Sequence, residues 1–275
     1  MITEQQEGNF PTRDRRAVLV GGVVLAAAAL AWVVVVLQAL GMATTMPDAA
    51  MSGEMEAMSS GGTASLLGAL TFLTAWGVMM AAMMLPSATP MIILYGATRR
   101  RFAATGQQLL PTAFFATTYL AVWLLFGLPV YLVGLAVDAA AMASPTVMAL
   151  LPYALAGVLL AAGLYQFSAL KRICLRGCQN PLSFLMARWR GGYLGTLRMG
   201  LAHALYCVGC CWGLMTVLVA AGAMGLRWVV LIALVVLAEK LGPRGEWTTR
   251  IVGGALLLLA AIVALQPGLA SILRG

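Results

Sequence analysis

Ten consecutive residues, His203-Ala-Leu-Tyr-Cys207-Val-Gly-Cys210-Cys211-Trp212, hold the single histidine and three of the five cysteines of a 275-residue chain. In a helix turning about 100° per residue, with His203 set at zero, Cys207 falls near ~40°, Cys210 near ~−20° and Cys211 near ~80°. The four side chains share one face. Thiolates and an imidazole converging from one side are what a soft or borderline metal ion requires. A single cysteine in an apolar helix is an ordinary small hydrophobe, but packing gives no reason for four such groups on one arc. A histidine inside an apolar run is also costly unless it has a partner.

The remaining cysteines lie upstream in Lys171-Arg-Ile-Cys174-Leu-Arg-Gly-Cys178. Four residues apart, Cys174 and Cys178 share a face if that segment is helical, and they are candidates to complete the ligand set or to exchange metal with it. Methionine supplies a second soft-ligand signal. Met42, Met46, Met51, Met55 and Met58 fall in a Gly-, Ser- and Thr-rich stretch whose only charges are Asp48, Glu54 and Glu56. Thioether sulfur selects Cu(I) and carries no proton to lose, which suits capture from an oxidising compartment. Met79, Met80, Met83 and Met84 form i, i+4 pairs on a helix, a stripe about 140° wide that would serve as a relay or as adaptable packing.

These residues need elements to position them, and composition limits which are available. The chain is 62% hydrophobic and 9% charged, whereas soluble domains carry roughly a quarter charged residues. It is an integral membrane protein by composition. Apolar runs at 17–40, 66–95, 112–137, 146–170, 196–221, 228–238 and 251–265 predict an all-α polytopic transmembrane helix bundle of about seven spans. The run at 228–238 is the shortest. Of the 17 Lys and Arg residues, all but Arg227 and Arg274 fall on one side when loops are assigned alternately. That asymmetry places the N-terminus in the cytoplasm and the C-terminus in the periplasm. The basic tracts therefore set orientation, and the net charge of +8 is not read as a nucleic-acid signal.

The domain reading is a cytoplasmic tail at 1–16, a first anchor at 17–40, an exterior Met-rich loop at 41–65 and a six-span membrane domain at 66–275. Two prolines four residues apart, Pro86 and Pro90, predict a kink or an end in the second span. Glu239 and Lys240, at the inner end of the sixth run, read as a mutual pair, with Glu239 alternatively orienting His203 as a carboxylate behind the ligands. There is no phosphate-binding glycine loop, Ser and His nucleophile pair or paired acid/base carboxylates. No residue is assigned a catalytic role, and binding rather than catalysis is expected.

Several blocks together resemble a bacterial family of predicted metal-binding integral membrane proteins. They are Trp76 through Met91 with its methionines and prolines, Tyr165-Gln-Phe-Ser-Ala-Leu-Lys171-Arg-Ile-Cys174 with Cys178 and Pro181, His203 through Met215, and Glu239-Lys240. The resemblance covers roughly residues 66 to 260. It implies a polytopic membrane protein with a metal site at Cys174, Cys178, His203, Cys207, Cys210 and Cys211. Combined with ligand softness, the expected function is Cu(I) handling in the bacterial inner membrane, by transfer, delivery or storage. The lipid bilayer is one partner, and a copper chaperone or a copper-dependent membrane enzyme is another. Two alternatives stay open: a thiol-disulfide oxidoreductase using Cys207 and Cys210, and a closed structural zinc site.

Overall fold

A computed structural model describes residues 15–44, 64–102, 109–222 and 225–270. Every regular element among them is helical. In chain order these are α1 (Arg15–Thr44), α2 (Ala64–Phe102), α3 (Leu109–Ala143), α4 (Pro145–Gln166), α5 (Ala169–Gln179), α6 (Pro181–Arg188), α7 (Gly192–Gly222), α8 (Leu226–Leu241) and α9 (Gly245–Leu265). Six stretches are long and apolar enough to cross a membrane: Ala17–Gly41, Leu66–Arg99, Leu109–Ala143, Pro145–Gln166, Gly192–Gly222 and Gly245–Leu265. Leucines and valines on the outer faces of α1, α3 and α9 are exposed, as expected of helices that are apolar all round and meet lipid.

Six of the seven expected runs correspond to these stretches, and the shortest one does not reach the length of a span. The run at 228–238 lies within α8, whose 16 residues rise about 24 Å at 1.5 Å per residue. That is short of a hydrocarbon layer of about 30 Å. The last turn of α8 meets α7 at Cys207, where Lys240 donates to its sulfur, and the last turn of α4 meets α7 nearby, where the Tyr165 hydroxyl donates to the Gly209 carbonyl.

Helix α7 is the inner element. More than half of its apolar stretch is buried inside the bundle, against less than a third for each of the other five candidate spans. It packs on α3, α4, α5 and α8, while α1 lies on α2 and α9 on α4. A helix surrounded in this way must be apolar on all sides or carry polar groups that find partners inside the bundle. α7 does the second, with its His and Cys face turned inward.

Pro86 and Pro90 do not end α2, which runs unbroken through them. A proline cannot donate to the carbonyl four residues back. In this stretch hydroxyls donate to carbonyls of the same helix: Ser87 Oγ to Met84 O at 3.0 Å and Thr89 Oγ1 to Leu85 O at 2.8 Å. These bonds go to carbonyls next to, and not at, the Ala82 and Pro86 carbonyls that the prolines leave without a donor four residues on. The turn into α5 has a local cause, because the Ser168 side chain caps the helix by accepting from the Lys171 amide at 3.1 Å.

Candidate metal centre

Cys207, Cys210 and Cys211 project from α7 into the bundle, all buried, with their three sulfurs within 4.8 Å of one another. Sulfurs held about 2.3 Å from one ion stand roughly 3.8–4.0 Å apart in trigonal or tetrahedral geometry. The triad therefore needs only side-chain adjustment to close on a single ion. Cys210 and Cys211 are 3.4 Å apart, and the Cys210 thiol donates to the Cys207 carbonyl at 3.2 Å.

The upstream cysteines reach this triad through α5. Cys178 Sγ lies 3.8 Å from Cys210 Sγ, a spacing that fits a further sulfur on the same ion. Cys174 packs over Gly209, where a Cβ would lie 2.5 Å from its sulfur. Gly177 meets the Tyr206 ring in the same way, at 2.6 Å from a would-be Cβ. Two missing side chains, one on each helix, allow α5 to approach α7 closely enough for thiols to meet. Burial pushes the Cys174 thiol up from its ordinary value, so it remains protonated in neutral solution until a metal takes the proton's place.

His203 lies outside the group of three sulfurs. Its ring stacks on Tyr119 and Phe115, with centroids 5.5 and 6.0 Å away, and meets Phe184 edge-on at 5.6 Å. The side chain is 3% exposed, and its Nδ1 has no hydrogen-bond partner. A buried nitrogen with a free lone pair or an unplaced proton is uncommon and leaves one donor atom available to a metal.

Glu239 and Lys240 do not pair with each other. The Glu239 carboxylate accepts from Lys171 Nζ at 2.6 Å and from Gln166 Nε2 at 3.0 Å, so its partners are on α4 and α5, not His203. Gln179 Nε2 adds a bond to the Glu239 carbonyl at 2.7 Å. Consecutive residues on a helix point about 100° apart, which sends Lys240 the other way. Its ammonium donates to Cys207 Sγ at 2.9 Å and Ser87 Oγ at 3.2 Å, and stands 4.0 Å from Met84 Sδ. Tyr119 completes this ring of contacts, its hydroxyl 3.0 Å from Cys207 Sγ. Neither Lys240 as a neighbour of the thiols nor Tyr119 was expected from sequence. The signal that could have found Lys240 is its position deep in an apolar bundle, where an ammonium needs a counter-charge.

The methionine stripe is buried throughout: Met79, Met80, Met83 and Met84 are at most 7% exposed. Met84 is the member that reaches the Lys240 ammonium beside Cys207. In the exterior stretch, Met46, Met51, Met55 and Met58, together with the Met42 side chain, lie outside the described residues.

Residues 73–263 match a family described as PpoB2, copper chaperone. The chain belongs to this family. No curated protein and no solved structure matches it. Within the copper chaperone family, the matched region spans α2 from Leu73 onward through nearly all of α9, and so includes all five cysteines, His203, Lys240 and the methionine stripe.

Proposed function

We propose that this chaperone binds Cu(I) within the bacterial inner membrane, its N-terminus in the cytoplasm, and passes the ion between soft ligands on two sides of the bundle. The observation that carries the reading is the convergence of three buried sulfurs with an ammonium and a thioether at one place. Copper is the cargo, held by Cys207, Cys210 and Cys211. Cys178 and Cys174 serve as completing or exchange ligands on the α5 side, and the free Nδ1 of His203 is a further donor. Met84, nearest the ammonium, is the inner end of a relay that includes Met79, Met80 and Met83. Met42, Met46, Met51, Met55 and Met58 are the capture residues.

The Lys240 ammonium offsets part of the charge that a bound copper complex would bring into the bundle. Three thiolates around Cu(I) carry two net negative charges, and Lys240 removes one of them. Burying a charged complex without such a partner costs several kcal/mol. Softness of the donor set, not charge, is what points to Cu(I), since thiolate and thioether together select it over harder ions.

The deciding experiment is anaerobic titration of purified protein with Cu(I) against a chromogenic chelator, with elemental analysis alongside. One tightly bound copper per chain is expected, lost in the Cys207→Ser/Cys210→Ser variant. No stoichiometric copper, or an unchanged affinity in that variant, would falsify the assignment. Retained zinc in the native protein would instead favour a closed structural site.

A thiol-disulfide oxidoreductase is the second reading, and it is favoured by the 3.8 Å approach of Cys178 to Cys210 across two helices. It requires a disulfide that forms and reopens in cells, which thiol trapping reads directly.

A further inference from the structure

A cavity of about 260 Å³ opens where two apolar helices end. Gln166 is the last residue of α4, and Glu246, Thr249 and Arg250 lie in the first two turns of α9. Both helices are candidate spans. Whichever way the bundle is oriented, this wall therefore stands at the level where a span gives way to the polar headgroup layer. Trp247, exposed at the same turn, is of the type that gathers at that boundary.

The chemistry of the lining is specific. Arg172 and Arg250 both line the cavity, and Arg176 stands at its edge, donating to the Glu246 carboxylate at 2.9 and 3.2 Å. With Glu246 neutralised by Arg176, the net surplus is two positive charges. Gln166 is 3% exposed. Its Nε2 is committed to Glu239, while its Oε1 has no partner. Thr249, also buried, donates to the Gly245 carbonyl at 3.0 Å and retains acceptor capacity. The cavity thus offers two cations and two acceptors side by side. Its size is close to the lower end of ligand pockets, roughly 300 Å³, which suits a headgroup rather than a whole lipid.

We propose that this cavity binds a phosphate group that also carries a hydrogen-bond donor, as a phospholipid headgroup or free phosphate does. The phosphate oxygens accept from Arg172 and Arg250, for which the guanidinium fork is well matched. The donor, a headgroup hydroxyl or ammonium or the proton of free phosphate, satisfies Gln166 Oε1. Phe167 and Leu175 provide the apolar wall against which a glycerol backbone would lie. None of this depends on the metal reading of the thiols.

The test uses full-length protein in nanodiscs and in detergent. Native mass spectrometry after detergent extraction is expected to show retained phosphatidylglycerol or phosphatidylethanolamine but not phosphatidylcholine, whose headgroup has no N–H or O–H. The Arg172→Gln/Arg250→Gln variant is expected to bind at least roughly tenfold more weakly, since a charge-assisted bond is worth more than about 1.4 kcal/mol. An Arg188→Gln control, on α6, should leave retention unchanged. In a second arm, inorganic phosphate is titrated into lipid-depleted protein and its thermal stabilisation recorded. Stabilisation by phosphate with no retained lipid assigns the site to the free ion. Equal retention of phosphatidylcholine, or retention and stabilisation unaffected by the double arginine variant, would overturn the proposal.

Discussion

The ammonium of Lys240 lies 2.9 Å from the sulfur of Cys207 although the two residues are 33 apart in sequence. Lys240 is 6% exposed and Cys207 fully buried, so each is the other's main means of carrying charge away from water. Replacing the ammonium by an apolar chain of similar length, Lys240→Met, removes a charge-assisted bond worth about 1.5–3 kcal/mol. The expected result is Cu(I) affinity lower by about tenfold or more with copper stoichiometry retained. Chelator competition on the two proteins reads this directly, and an unchanged affinity would make Lys240 a packing residue.

Lys240 can do this only if α8 stops in the right place, and the Lys171–Glu239 pair holds it there. Both side chains are 1% exposed at 2.6 Å separation. Removing one partner strands a buried charge, at about 3–5 kcal/mol, whereas replacing both is often nearly neutral. Glu239→Gln should therefore lower the apparent melting temperature in detergent sharply, and adding Lys171→Met should recover most of the loss. Additive losses in the double variant would show that the two groups do not act as a pair.

How much of this was legible beforehand follows from what kind of relationship each residue has. The arc of Cys207, Cys210 and Cys211 lies within one helix, and helical periodicity alone places its members together. Cys178 and Lys240 join that arc from separate helices, and their approach depends on Gly209, Gly177 and the short length of α8. Those are tertiary facts, with no periodic signature. His203 shares the arc but packs among the rings of Phe115, Tyr119 and Phe184, a tertiary contact that periodicity does not show. The membrane class came through clearly, since apolar length is a property of the segment itself. Of the kink or end expected at Pro86 and Pro90, the end does not occur, since α2 runs unbroken through both.

Cross-helix thiol contact carries its own consequence. Cys178 and Cys210 are 3.8 Å apart on different helices, so a small movement brings their sulfurs to bonding distance. Mild oxidation of metal-free protein by a small disulfide, itself reduced to two thiols, is expected to cross-link Cys178 to Cys210. Peptide mapping by mass spectrometry would identify the bridge. Prior loading with one equivalent of Cu(I) should suppress it, because the same sulfurs are then committed to metal. A bridge that forms equally fast in loaded protein would place Cys178 and Cys210 outside the copper site.

Gly209 tests the α5 contact without replacing a ligand. A Cβ there would sit 2.5 Å from Cys174 Sγ, closer than side chains tolerate, and the Gly209 carbonyl already accepts from the Tyr165 hydroxyl. Gly209→Ala must therefore push α5 outward or force Cys174 aside. Overpacking of this kind typically costs about 1–3 kcal/mol, and moving α5 also draws Cys178 away from Cys210. The variant should show both a lower melting temperature and slower formation of the Cys178–Cys210 bridge. Adding Cys174→Ala deletes the sulfur that clashes and leaves Cys178 in place, so the double variant should regain stability and bridge formation together. Recovery of stability without the bridge would mean that Gly209 matters for packing but does not govern the approach of the two thiols.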